Sequence, residues 1–386
     1  MEEQRQDTSE GSPAARRRRI DLSQTRKPDF RPPSPSESRN RKRSPSPTRQ
    51  QTQSLRDTGT PRVIIETENI TADDNTEARD LWRRLREAAN HEVVPKELRV
   101  RPLGSACDAY MLISEKRSID EDAVHRDSLD QLSISNSDDH LHLPDEMSVN
   151  RLWNRLKYIL RAAHACDIYQ KDENAWSEVA RLVLRTAVWD YAIGREEQQL
   201  ADLEITDIQS QTIDRQYLPT FHLLPGYCDR RTDIAVAFSP EHEDYGPVRQ
   251  RLLQAGMKLS HMRDAYTSTV ALAHPVEIKA ANGDGEEAQL QLAVFHASAL
   301  RFLSHDCPPP MVGWTVLGHK WTLFITYANR ADHTIEVRAP SLSRTVGTTD
   351  IEALLTLLAV LRSTFAWLRN EYWPQYVALH AADAPG

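Results

Sequence analysis

"HPVEIKAANGDGEEAQLQLAVFHASALRFL", His274–Leu303, decides how this chain folds. It opens as a short apolar strand, turns through glycines and continues as a nearly all-apolar helix. Side chains alternate along a strand, so Val276 and Ile278 face one way and Glu277 and Lys279 the other. Burying two ionisable groups costs hydration. Either this pair lies on a solvated edge, where lysines blunt aggregation, or the strand holds charge for chemistry.

Upstream, "RTDIAVAFSP" (231–240) reads as a second strand. Alternation puts Ile234, Val236 and Phe238 on one face and Asp233 with Ala235 and Ala237 on the other. If the two strands pair, Asp233 comes beside Glu277 and Lys279. Two carboxylates beside an ammonium suit Mg²⁺, with Mn²⁺ as a substitute, because Mg²⁺ takes one or two carboxylates and keeps several waters. The Ile278 carbonyl between the charged positions is a further candidate ligand. Lys279 would orient or help deprotonate a water attacking a phosphodiester.

The D…(D/E)-x-K arrangement, followed by a glycine turn and a helix opening "AQLQLAVF", resembles the fungal PD-(D/E)XK nuclease-like domain proteins over about residues 148–370. The resemblance implies a restriction-endonuclease-like fold, a mixed β-sheet flanked by helices. It also implies a core triad of Asp233, Glu277 and Lys279 and a downstream glutamine at Gln291, with Gln289 second. An acid on an upstream helix is implied too, matched here by Glu178 shortly after Trp176 in "ENAWSEV". The metal set it implies is Glu178, Asp233, Glu277 and the Ile278 carbonyl. Thr232 stands where the family name has proline, and Phe295 stands where some relatives carry tyrosine.

Charge divides the chain. Residues 1–60 hold 14 Lys/Arg against 8 Asp/Glu, a net +6, which leaves −14 on the remainder of a chain whose total is −8. The stretches "RPPSPSES" and "RKRSPSPTRQ" offer too little apolar surface to offset the entropy of ordering, so residues 1–75 are expected to form a disordered basic tail. The clusters "ARRRRIDLSQTRK" and "RNRKRS" resemble nuclear-localisation signals, and a nuclear address is expected. The four cysteines, Cys107, Cys166, Cys228 and Cys307, show neither zinc-ligand spacing nor a disulfide framework, which favours a reducing compartment. No apolar leader follows Met1 and no run of about eighteen apolar residues is evident, so no membrane partner is expected.

A helical lead-in with an acidic, polar segment is expected over 76–147, including a helix in "EARDLWRRLREAAN". The folded domain is expected over 148–375, with a tail at 376–386. Ser148 is expected to cap one helix; Asn174 would cap the next, with Gly194 as its stop. Strands follow at 204–213, 231–240 and 274–281 and within 312–340, and a helix runs from Asp350 to about Asn370 ahead of Pro374. The reading that results is an Mg²⁺-dependent nuclease-like protein acting on nucleic acid, with DNA the expected form. The runner-up is a silent version of the same fold, a DNA-associated or protein-interaction module, or an accessory protein of a fungal biosynthetic or mobile locus. The acidic body works against gripping a polyanion and favours that runner-up.

Overall fold

A seven-stranded mixed sheet forms the centre of the computed structural model, which describes residues 46–71, 75–90, 146–188, 202–221, 228–303 and 308–382. In chain order the elements are α1 (Pro47–Thr58), β1 (Arg62–Glu66), α2 (Thr76–Asn90), α3 (Glu146–Ile168) and α4 (Glu173–Val188). They continue with β2 (Leu203–Asp207), β3 (Ile234–Phe238), α5 (Gly246–Gln254), β4 (Leu272–Lys279) and α6 (Gly285–Leu303). The last are β5 (Met311–Leu317), β6 (Lys320–Asn329), β7 (Thr334–Arg338), α7 (Ile351–Trp367) and α8 (Trp373–Ala382). The strands lie in the order β1-β7-β6-β5-β4-β3-β2. Pairs β1/β7 and β4/β5 are parallel and the other neighbours antiparallel. This is the mixed α/β, restriction-endonuclease-like architecture expected.

Helices cover the middle of the sheet: α6 packs on β4 and β5, α4 on β4 and β2, and α7 against α2 and α4. Strands β3 and β4 are therefore buried at every residue. The contrast expected in β3 between an apolar and an open face does not hold, because Ala235 and Ala237 are as buried as Ile234 and Val236. Helix α6 has the apolar character its sequence suggests, with Leu290, Leu292, Val294 and Phe295 all in the core. The stripe Trp176, Val179, Val183, Ala187 on α4 is buried as well.

Several boundaries move. Ser148 lies inside α3 and does not cap it. Asp172, not Asn174, caps α4: its carboxylate accepts from the Ala175 N–H at 3.1 Å. The expected stop at Gly194 lies outside the described residues. The strand expected over 204–213 stops at Asp207, whose carboxylate accepts from the Gln209 N–H and turns the chain.

The arm expected to be disordered through residue 75 is ordered over 46–71. There α1 packs on β1 and α6, and β1 joins the sheet as an edge strand, with Val63 buried. Residues 1–45, with their basic clusters, lie outside the described residues, as do 91–145. At the other end the expected tail is helical through Ala382, and residues 383–386 lie outside the described residues. A π-helical turn at Leu368–Tyr372 links α7 to α8 and lets Pro374 sit where its missing N–H is tolerated. Tyr376 is buried and its hydroxyl donates to the Leu259 carbonyl at 2.5 Å.

By length and composition alone, the helical run Ile351–His380 is long and apolar enough to cross a membrane. Leu354, Leu357, Leu361 and Phe365 are nevertheless fully buried inside the fold, as in the core helix of a layered domain.

Candidate active site

Strand pairing brings the acidic residues together. The β3/β4 register sets Ile234 opposite Val276, so Asp233, one residue before β3, comes beside Glu277. The Asp233 carboxylate crosses the gap where the ladder ends: Oδ2 accepts from the Ile278 N–H at 2.7 Å. In an extended strand a residue's N–H and C=O point to the same side, so the Ile278 carbonyl also faces Asp233. The neighbouring Lys279 carbonyl points the other way, accepting from Gly318 N–H at 3.1 Å.

Glu277 is fully buried, and neither carboxylate oxygen has a hydrogen bond of good geometry. Its partner is ionic: Lys279 Nζ lies 2.9 Å from Oε1, and 3.4 Å from Oε2 of Glu173, the first residue of α4. Glu173 acts electrostatically on Asp233, Glu277 and Lys279 alike. A second acid outside the expected set, Asp207 at the end of β2, also acts on Asp233.

Burial, opposed by the Ile278 hydrogen bond, pushes the Asp233 carboxyl up to about 6. Burial first, then the Asp233 charge, raises Glu277 well above the carboxylate range. Burial works against the Lys279 ammonium, but Glu277, Glu173 and Asp233 together hold it above its ordinary value. Within the pair these directions compete, since a neutral Glu277 gives Lys279 less reason to stay charged. Glu277 is the more constrained partner, shut from solvent beside a second carboxyl, so its upward direction stands. Lys279 retains Glu173 at the rim and keeps its proton.

The remaining expected residues are placed as follows. Gln291, on α6, shows no hydrogen bond to the carboxylates among the described contacts, and its Oε1 is buried without a partner there. Its Nε2 donates to the Arg231 carbonyl at 2.7 Å, two residues before Asp233, which fixes the backbone that delivers the acid. Gln289 shows no such bond among the described contacts. Glu178 is exposed and paired with Arg181 at 2.6 Å, and Arg181 also reaches Asp207 at 2.7 Å. Glu178 is not among the charges that act on the triad; the α4 acid meeting Lys279 is Glu173. Five residues apart, the two point about 140° apart around a helix. Only the packing of α4 on β4 shows which face looks inward.

Loop geometry supports the lysine. A Cβ at Gly283 would lie 2.7 Å from Lys279 Cβ, so the β4–α6 turn can pass over the lysine only with glycine there. Asp284 then caps α6, accepting from the Glu286 N–H at 2.9 Å.

The donor set fits a hard divalent cation. Glu277 has a buried oxygen with no partner, Asp233 has one oxygen beyond its Ile278 bond, and the Ile278 carbonyl faces the same gap. Among the described residues no cluster of three or more His, Cys, Asp or Glu side chains is disposed to hold a metal. Two carboxylates are nonetheless enough for an ion that keeps its waters.

A sequence profile of the PD-(D/E)XK nuclease superfamily matches residues 117–373. No curated protein matches the chain. No solved structure matches it either.

Proposed function

The chain belongs to the PD-(D/E)XK nuclease superfamily, and on that premise we propose that it hydrolyses phosphodiester bonds of nucleic acid in a Mg²⁺-dependent reaction at the Asp233–Glu277–Lys279 site. The observation that carries this reading is the fully buried Glu277 carboxyl, held among the described residues only by the Lys279 ammonium 2.9 Å from Oε1 and set beside a second carboxyl. Two carboxyls sharing one ammonium leave buried negative charge when ionised, which a divalent cation bound between them would offset. When bound, Mg²⁺ would supply charge stabilisation to the phosphoryl oxygens.

The chain's own groups do the rest. Asp233, Glu277 and the Ile278 carbonyl would hold the ion. Of the two roles expected of Lys279, orienting the attacking water or helping to deprotonate it, its protonated state beside Glu173 favours the first, a fixed positive charge towards the phosphate and the water. Glu173, partly open to solvent at the rim beside Lys279, would accept a proton from that water.

The test is purified full-length chain with labelled single-stranded and duplex DNA and RNA, in Mg²⁺, Mn²⁺ or EDTA. Cleavage should require the metal and fall at least about a hundredfold in Lys279→Ala and Asp233→Asn. Glu173→Gln should also slow it, whereas Glu178→Gln should not. Metal-independent cutting, or cutting that survives Lys279→Ala, overturns the assignment. The silent-module reading rests on the −14 carried by residues 61–386, and it is the outcome if no substrate is cut under any condition.

A nuclear address is part of the proposal, supported by the clustered arginines at 16–19 and the net +6 of residues 1–60. A reporter fused to residues 1–60 should accumulate in nuclei, and Arg16–Arg19→Ala should disperse it.

A further inference from the structure

An acidic body must still take hold of its substrate, and the burial gradient of the site shows where. Side-chain exposure rises from 0% at Glu277 to 11% at Lys279 and 35% at Glu173. Entry is therefore past the N-terminus of α4, beside the turn that joins it to α3.

That turn and the helix before it carry unusual surface. Tyr158, Ile168 and Tyr169 are 58%, 57% and 74% exposed, three of the four large apolar side chains left open among the described residues. Tyr158 and Tyr169 are eleven residues apart, close to three full helical turns, so they stand on one face about 16 Å apart. The turn is fixed. Tyr169 N–H still bonds the Ala165 carbonyl, Gln170 takes φ +46°, and Lys171 N–H closes on the Cys166 carbonyl at 2.8 Å. Tyr169 and Glu173 are four positions apart, at most about 14 Å of chain.

The charge is of the matching sign. Met147–Cys166 contains Arg151, Arg155, Lys157 and Arg161 and no Asp or Glu. Lys157 lies over the Trp153 ring at 5.7 Å, and Lys171 is exposed at the turn. Nearby acids are engaged: Asp172 caps α4, Glu178 and Asp207 share Arg181, and Asp167 faces His319 at 4.0 Å.

We infer that the outer face of α3 and the α3–α4 turn, centred on Tyr158, Tyr169 and Lys171, is a stacking platform that leads single-stranded nucleic acid into the site. The choice of ligand class rests on the nuclease reading; the choice of single strand rests on the tyrosines. Their rings reward a strand whose bases are unpaired and able to leave their own stack, and a duplex has none to offer. Lys171 alongside neutralises phosphate without reading sequence.

The experiment is fluorescence anisotropy with full-length Lys279→Ala chain, which prevents cleavage, and a labelled oligonucleotide of one sequence offered single-stranded or annealed. The single strand should bind tighter. Tyr158→Ala and Tyr169→Ala should each weaken it about tenfold or more, while Tyr158→Phe and Tyr169→Phe retain binding. Lys171→Gln should flatten the salt dependence. Equal affinity in the alanine variants overturns the inference, as does a preference for duplex. So does an effect of the alanine variants confined to self-association in sedimentation, which would assign the face to a second copy of the chain. Cleavage by the unsubstituted chain is scored separately. Tyrosine-dependent binding without any cleavage supports the platform and sinks only the nuclease reading; cleavage with tyrosine-independent binding does the reverse.

Discussion

At the scale of single residues, the raised Asp233 carboxyl gives folding a pH dependence of definite sign. Its ordinary value is 3.8 and the folded value is about 6, so between them the folded chain binds the proton that the unfolded chain has lost. The group's cost is absent below about 4 and complete above about 6, worth on the order of 3 kcal/mol. Asp233→Asn, which keeps an oxygen for the Ile278 N–H, should raise the melting temperature in EDTA at pH 7.5 and leave it unchanged near pH 4. Mg²⁺ should stabilise the unsubstituted chain and not the variant. A variant that melts lower at pH 7.5 contradicts the burial penalty.

The buried histidines work in the opposite direction. His261, His274 and His296 are each lowered by burial to about 3, so the unfolded chain takes protons below about 6.5 that the folded chain refuses. Their contribution is full above pH 6.5 and is lost as pH falls toward 3. In Asp233→Asn the opposing trend is reduced to that of Glu277, which burial also raises, so denaturant titrations should show a steeper loss of stability below pH 6 than in the unsubstituted chain.

The proximity of Asp233, Glu277 and Lys279 was legible because strand alternation is local and one antiparallel pairing suffices to align them. Glu173 was not. Both acids on α4 are solvent-compatible helix residues, the family pattern pointed to Glu178, and only packing against Lys279 tells them apart.

Among elements, local signals carried the helices and failed at their ends. The apolar run 288–303 and the helix start at Asp350 are readable from the sequence, and Asp350 caps that helix, accepting from the Ala353 N–H at 2.8 Å. Asp350→Ala should lower stability by about 1 kcal/mol without changing cleavage, since α7 lies away from the carboxylates in sequence and caps act locally. Gly283→Ala should behave otherwise. Its methyl group must displace the start of the Lys279 side chain or the turn above it, a strain of roughly 1–3 kcal/mol. Cleavage should then fall by more than the stability loss explains; activity equal to the unsubstituted chain at a lowered melting temperature would show that the turn does not position Lys279. The continuation of α7 through a π-helical turn was hidden because Pro374 reads as a terminator, and a widened turn that spares its missing N–H leaves no trace in sequence.

For the whole molecule, the strand missed by sequence reading is the informative one. "RVIIE" is five residues in a polar, charged neighbourhood, and nothing local identifies a partner. Its stability comes from β7 and from α1, which Arg49 ties to Glu286 at 2.7 Å and Arg230 ties through Gln51 at 2.5 Å. Removing residues 1–71 should therefore lower the melting temperature and uncover the β7 edge, with aggregation visible on gel filtration. A monomeric truncated chain with an unchanged melt would show β1 to be dispensable.

The pairing of β1 with β7 also sets a clock on synthesis. Glu66 and Arg338, which meet across this edge, are 272 residues apart. At roughly 5–20 residues per second a ribosome needs on the order of 15–50 s to deliver the second after the first. Throughout that interval Val63, Ile64 and Ile65 have no strand to join, and every other strand of the sheet is translated before their partner is complete. The sheet must close its last edge with the first strand it made. Arg62 and Glu66, which bracket the three apolar residues with charge, keep that waiting segment from pairing with the same segment on a neighbouring nascent chain.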